Sequence, residues 1–416
     1  MAPNSVLHVW LRGRRIAVLD EPSRYRYRLT FAPEAIERFG VGSRVLSLSL
    51  PIGADPLVDH PHDPTKRPVA AFLEGLLPEG NLRAQLAAHV KVAVVDKMAL
   101  LDHVGAECAG AVQFLRTGHV PGEGTVTPLS RDEVTTLVES LPTSSAPDGT
   151  HLHASLAGIQ DKLLLTRVDD GWGWPSDGAP SSHLIKPEPL STPVPHLVHA
   201  EHWALEVAAR VGLPAAQSTL QVFGSRTAIV VRRYDRAPDG RRAHQEDFCQ
   251  ALGLDPSAKY ELQTNAGNSR LRQLAALAAP RAASPDSFRR TLLQAVCFNA
   301  LIGNADAHSK NYSLMIEETG EVSLAPLYDV APVRYLSPRF KGTGHLINGR
   351  GNLDHLSLED LITEGSSWGT SPGRVRNTVA ELVDAVWVAA HSVTPPDGVH
   401  QLIPRLEAHW GSRGWR

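Results

Sequence analysis

The chain has 416 residues, 42% of them hydrophobic, and a formal net charge of -3. That length allows two or three domains around sizeable cores, and the near-neutral balance argues against a general nucleic-acid binder, a local basic patch aside. Cys108, Cys249 and Cys297 lie far apart with no C-x-x-C pair, so neither a disulfide framework nor a cysteine zinc site is indicated, and free thiols fit a reducing compartment. Residues 1–11 lack the long apolar run of a signal peptide. No stretch approaches the roughly 20 apolar residues that cross a bilayer. The expectation is a soluble, cytoplasmic protein with no membrane partner.

The first section reads as a small domain of strands and helices. Val6-Leu7-His8-Val9-Trp10-Leu11 and Arg15-Ile16-Ala17-Val18-Leu19, split by Arg12-Gly13-Arg14, predict a hairpin. Tyr25, Tyr27, Leu29 and Phe31 alternate with polar residues, as in a half-buried strand. Helices are predicted around 70–77, 81–88 and 97–104, and a returning strand over 108–115. Residues 117–128, rich in Gly, Pro and Thr, read as a linker. A short helix is expected from Ser130, an N-cap, to Leu141. A second polar stretch, 142–149, leads into the first segment of chemical interest.

From there to about 235 the pattern is mixed α/β. A strand over 162–168, a turn-rich tip over 169–180 and a strand over 182–186 come first. A helix over 199–211 stops at Gly212 with Pro214 beyond, and strands follow near 218–223 and 228–233. Helices dominate the remainder. Ser284-Pro285 opens one with Phe288, Leu292 and Val296 on a face; Ser371-Pro372 opens another with Val375, Val379, Leu382, Val383 and Val386.

Four segments carry chemistry. In Gly303-Asn304-Ala305-Asp306-Ala307-His308-Ser309-Lys310-Asn311, Asp306 and Asn311 are five apart. That is the spacing of a protein-kinase catalytic loop, where the Asp orients the substrate hydroxyl and the Asn holds magnesium. Lys310 would neutralise charge on the transferring phosphoryl group. The plain alternative is a polar helix-end turn that caps backbone groups. Second, the apolar run Leu324-Ala325-Pro326-Leu327-Tyr328-Asp329 ends in a lone carboxylate, which with Asn311 supplies two hard oxygen ligands for magnesium; otherwise it is a strand-end turn. Third, Ala154-Ser155-Leu156-Ala157-Gly158-Ile159-Gln160-Asp161-Lys162 has small residues that admit an anion to the backbone, though it is neither a Walker A motif nor G-x-G-x-x-G; a strand-connecting turn is the alternative. Fourth, Lys186 ends the apolar strand His183-Leu184-Ile185-Lys186, as a phosphate-binding lysine would, with Glu201 as a prospective partner, or it is a snorkelling strand-end lysine. The order of the four, more than any one, is that of a kinase.

At these residues the chain resembles the HipA family of toxin kinases over nearly its whole length. The matching stretches are Ser155–Lys162, His183–Lys186, Val230-Val-Arg-Arg-Tyr-Asp235, Gln245-Glu-Asp-Phe-Cys-Gln250, Lys259-Tyr-Glu261, Asp306–Asn311 and Leu327-Tyr-Asp-Val330, with Phe72–Pro78 and Gly105–Val112 in the leading part. The resemblance implies an α+β, two-lobed kinase fold: a small β-rich leading subdomain (1–117), a mixed α/β N-lobe (118–235) and a mainly helical C-lobe (236–416). It implies ATP and Mg2+ as cofactors. Asp306 would be the catalytic base, and Asn311 and Asp329 the magnesium ligands. Ala157, Gly158, Ile159, Gln160, Asp161 and Lys162 would wrap the phosphates, with Lys186 contacting them. Arg232, Arg233 and Tyr234 would form the hinge at adenine; His308, Ser309, Lys310, Asn311, Tyr328 and Asp329 would line the nucleotide site.

Ser155 matches the serine that family members autophosphorylate, and a phosphate there would repel ATP and shut the enzyme down. The implied protein substrate is a translation component such as an aminoacyl-tRNA synthetase. The implied partner is a HipB-like helix-turn-helix antitoxin, through which operator DNA is met, in a dimer or heterotetramer. Two departures stand out: Arg232 where an acidic residue is expected, and 263–268 in place of a more glycine-rich run. Two other classes compete: a catalytically weak kinase-fold co-repressor, and a metal hydrolase using His151, His153, Asp306 and His308, whose spacing makes no tight ligand set.

Overall fold

The computed structural model describes residues 6–63, 66–141, 162–262 and 268–416. They fall into two compact units. The first holds Met1–Pro187, Gln221–Pro256 and Met315–Gly320; the second holds Glu188–Leu220, Ser257–Leu314 and Glu321–Arg416.

The first unit opens with β1 (Leu7–Leu11), β2 (Arg14–Ser23) and β3 (Arg26–Phe31), an antiparallel meander. Arg12 and Gly13 both take positive φ, the primed turn that matches strand twist, so the predicted hairpin forms. Leu7, Val9 and Leu11 are buried while His8 and Trp10 are partly exposed, so one face is turned to a core. α1 (Pro33–Phe39), β4 (Leu57–Val58), α2 (Pro68–Leu76), α3 (Gly80–His89), α4 (Lys97–Val104) and β5 (Val112–Arg116) complete this layer, with strand order β4-β3-β2-β1-β5. The Asp59 carboxylate caps α2, accepting from Val69 N at 3.1 Å and Ala70 N at 3.0 Å.

A second sheet follows: β6 (Thr125–Leu129), then α5 (Arg131–Ser140), β7 (Leu163–Val168), β8 (Gly171–Ser176) and β9 (His183–Pro187). After α6 (Leu197–Arg210), which belongs to the second unit, come β10 (Ser218–Phe223) and β11 (Arg226–Arg232); the order is β10-β11-β9-β7-β8-β6. Two expectations are corrected here. The linker of 117–128 contains β6, and the turn-rich tip of 169–180 contains β8. Both carry a proline, and β8 also has two glycines, the composition of an edge rather than a central strand. What makes them strands is packing: Trp172 and Trp174 of β8 are buried against Val134, Leu137 and Val138 of α5. Helix α5 starts where expected, with a full capping box between Ser130 and Glu133.

β12 (His244–Asp247) and α7 (Phe248–Leu252) close the unit. Beside them is a buried ionic cluster. Glu107 and Asp235 meet Arg233, Arg236 and Arg242 at 2.5–3.1 Å. Burial alone would raise the Glu107 carboxyl, but the three guanidinium groups overcome it and hold it low.

The second unit is mainly helical. It contains α8 (Arg270–Ala278), α9 (Pro285–Leu301), α10 (Val333–Leu336), α11 (Leu358–Ser367), α12 (Pro372–Ser392) and α13 (Leu402–Arg413). Its short strands are the first half of β13 (Ser313–Ile316), whose Met315 and Ile316 fall in the first unit, and β14 (Val322–Leu324), β15 (Gly342–Ile347) and β16 (Arg350–Asn352). Fully buried Trp203 of α6 donates its indole N–H to Val393 O at 3.0 Å, fastening α6 to the end of α12. Among the described residues no helix is long and apolar enough to cross a membrane.

Candidate active site

The Asp306 loop leaves the end of α9 through a chain of buried amides. Asn299, on the last turn, donates to Ala295 O at 3.0 Å and to the Tyr312 hydroxyl at 3.0 Å. Its Oδ1 accepts from Asn304 Nδ2 at 2.7 Å, and Asn304 Oδ1 accepts from Asp306 N at 3.0 Å. Asn311 Nδ2 then donates to Asp306 O at 2.8 Å, closing the five-residue loop and turning its Oδ1 away from that bond. The spacing read from sequence therefore folds into one hydrogen-bonded turn. The helix-end capping read as the alternative is present too, since the same amides both cap and position.

The side chain of Asp306 is 51% exposed, with Oδ1 3.9 Å from His308 Nε2. Burial pushes the His308 imidazole below its usual value; Asp306 pulls it back up, Lys259 pushes down again, and Asp329 adds a smaller upward pull. Both carboxylates thus act on one ring. The Tyr260 hydroxyl donates to Asp306 Oδ1. Ser309 and Lys310 are buried, so this part of the loop is support as much as lining.

Asp329 is presented with φ +51, a left-handed conformation that costs a non-glycine residue about 1 kcal/mol or more. It is held there by its neighbours. Leu327 N donates to Pro214 O at 2.8 Å and Ala216 N donates to Leu327 O at 2.8 Å. The Tyr328 hydroxyl donates to Lys310 O at 2.7 Å and accepts from Ser313 Oγ at 2.7 Å. Tyr328 therefore ties the Asp329 turn to the Asp306 loop. Among the described residues no three His, Cys, Asp or Glu side chains gather as a metal site. Two oxygen ligands, Asn311 and Asp329, fit a magnesium ion that arrives with phosphate oxygens and keeps its waters.

In the first unit, Lys186 sits on β9 between β7 and β11, opposite Ile229, and is 4% exposed. Lys162 is 8% exposed and lies one step beyond the Leu163–Ile185 pair, across from Lys186. The two buried lysines thus lie on one face of adjoining strands. Arg232 is exposed at the end of β11, opposite His183. The Arg233 guanidinium is committed to the ionic cluster, its backbone N–H donates to Ser182 O at 2.9 Å, and its carbonyl accepts from Arg236 N at 3.4 Å. The Tyr234 hydroxyl donates to Gln245. Glu201 is buried in α6 of the second unit.

Ser155, Ala157, Gly158, Ile159, Gln160 and Asp161 lie outside the described residues, as do His151, His153 and 263–267. Sequence reasoning gave no role to Tyr260, Asn299 or Asn304. Asn304 stands inside the quoted loop motif, and a Gly-Asn-x-Asp run is a turn signal that marks it; Asn299, one turn back on an apolar helix face, had no local signal.

Residues 154–390 match the family model described as the HipA-like C-terminal domain, and 7–115 match the HipA N-terminal domain. Y4mE of Sinorhizobium fredii, a candidate kinase, is 32% identical over 394 residues, 91% of this chain and 90% of that one. The serine/threonine-protein kinase toxin HipA of Shewanella oneidensis is 32% identical over 285 residues, 65% of this chain and 64% of its own. Among solved structures, one from the complex of Shewanella oneidensis HipA, HipB and operator DNA superposes with a TM-score of 0.77 at 24% identity, covering 97% of both chains. That likeness is one of fold: an α+β, two-lobed kinase.

Proposed function

Because this chain belongs to the HipA family of serine/threonine-protein kinases, we propose that it is the kinase of a toxin–antitoxin pair, transferring the γ-phosphoryl group of ATP to a serine or threonine of a translation component. The observation that carries this is the hydrogen-bonded turn of Asp306 and Asn311 tied through Tyr328 to Asp329.

In this reading Asp306 accepts the proton of the acceptor hydroxyl as its oxygen attacks the γ-phosphorus and ADP departs. Asn311 and Asp329 hold Mg2+, which when bound neutralises charge on the phosphates. Lys162, Lys186 and residues 157–161 are the phosphate-binding residues of this reading, and 232–234 those for adenine. His308, Ser309 and Lys310 support the loop beneath the nucleotide. An aminoacyl-tRNA synthetase is the substrate class we favour, and autophosphorylation of Ser155 the off switch. The Shewanella complex supports a HipB-like helix-turn-helix partner that brings the kinase to operator DNA.

The test is transfer from labelled ATP by Asp306→Gln. Transfer should vanish while nucleotide binding, followed by calorimetry, stays within about twofold of the parent, because the base acts on the hydroxyl and not on the nucleotide. Binding lost together with transfer would remove Asp306 from that role.

A further inference from the structure

Lys259-Tyr260-Glu261 has no part in the chemistry above, yet it is anchored to the Asp306 loop at one end and to β15 at the other. Ser309 N donates to Lys259 O at 3.1 Å, and Glu261 N donates to Gly344 O at 2.9 Å. The buried Glu261 carboxylate accepts from Arg270 N and Leu346 N, each at 3.0 Å. Between these anchors the Tyr260 ring meets the His308 ring edge to face, with centroids 4.9 Å apart, and its hydroxyl donates to Asp306 Oδ1. Tyr260 is 39% exposed, so the pair stands where an acceptor can approach. A hydroxyl donating to the carboxylate of the base is the arrangement that an acceptor serine or threonine must itself adopt.

We propose that Tyr260 holds the acceptor position at Asp306 in the resting chain and has to leave it before another hydroxyl can react. This rests on the reading of Asp306 as the base. Tyr260 is a positioning residue and a gate; it takes no part in bond making. Its bond to a carboxylate is charge-assisted, and an acceptor entering at Asp306 must displace it. Removing the hydroxyl alone leaves the ring on His308 and opens room for one water beside Asp306.

Water is therefore the probe, and no protein substrate is needed. In hydrolysis the water oxygen bonds to the γ-phosphorus, the bond from γ-phosphorus to the bridging oxygen breaks, ADP leaves with the electron pair, and a water proton passes to Asp306. With the full chain and Mg·ATP, Tyr260→Phe should raise kcat for hydrolysis about tenfold, the weight of one charge-assisted hydrogen bond at an exposed site, with KM for ATP unchanged. Asp306→Asn on the Tyr260→Phe background should erase the gain. Hydrolysis by Tyr260→Phe at or below the parent rate overturns the gate, and so does a double variant that keeps the gain. Asp306→Asn alone separates the two readings. If it leaves parental hydrolysis intact, the base assignment fails and the gate with it; if it silences hydrolysis while Tyr260→Phe gains nothing, the gate alone is lost.

Discussion

Asp306 stands where it does because Asn304 and Asn299 hold its backbone. Both amides are buried, at 2% and 3% exposure; the bond between them is 2.7 Å, and that from Asp306 N to Asn304 is 3.0 Å. Truncating one leaves the other's polar atoms buried without a partner, which costs about 1–3 kcal/mol. Asn304→Ala should therefore lose stability of that order in urea unfolding and lower phosphoryl transfer as well. Asn299→Ala should cost a similar amount, and the double variant clearly less than the sum, since both belong to one network. Additive losses would mean that the amides act separately. The loop motif itself was readable at this scale: acid and amide five residues apart are a chemical signature. Its supports were not, because a buried asparagine on a helix differs from an exposed one only in what surrounds it.

Strand β15 makes a close approach to the Asp306 loop that only one residue type allows. Gly344 has φ +73, and a Cβ there would lie 2.1 Å from Ala307 O and 2.5 Å from His308 N. Its carbonyl also accepts from Glu261, so the segment cannot easily back away. Gly344→Ala should cost at least about 2 kcal/mol from backbone conformation and overlap together. Gly373→Ala, at the start of α12 with nothing within 4 Å, is the control and should be neutral or slightly stabilising. Equal melting temperatures for the two variants would refute the close approach. Helices with strong local signals form close to where their caps and periodicity put them: α4, α5, α9 and α12. Helix α1, only seven residues long, offers too short a window for a periodic signal, although Ala35 is buried and Ile36 and Phe39 pack partly against the core, and β6 and β8 carry prolines, so their pairing comes from the sheet and not from propensity.

Across the molecule, charge buried inside the first unit shapes its response to pH. Burial pushes the Glu246 carboxyl up to about 8, against the Ser47 hydroxyl and the Leu48 N–H bonded to it at 2.8 Å. An acid whose folded value is raised binds its proton more tightly in the folded state. Its contribution is full below the unfolded value near 4.5 and is lost as pH rises through about 8. Parent stability should fall across that window, whereas Glu246→Gln, neutral at every pH, should flatten the fall and be the more stable chain at pH 9. Urea midpoints at pH 5 and pH 9 check this; parallel declines in both chains would place the cause elsewhere. The Glu107–Asp235 cluster behaves differently, because its arginines hold both carboxylates ionised. Glu107 and Arg233 lie 126 residues apart in the chain, so nothing in either neighbourhood announces the pair.

The amino-acid sequence alone determined the kind of chemistry, through the order of lysine strand, acid–amide loop and strand-end acid, and most of the helices, through caps and apolar spacing. Those are local properties, set by which groups a few successive residues place together. Tertiary structure decided the rest: which strands pair across proline-bearing edges, which amides carry Asp306, how near β15 passes, and that Tyr260 reaches the candidate base. Each depends on residues distant in the chain meeting in space, and burial, unlike residue identity, exists only once the chain has folded.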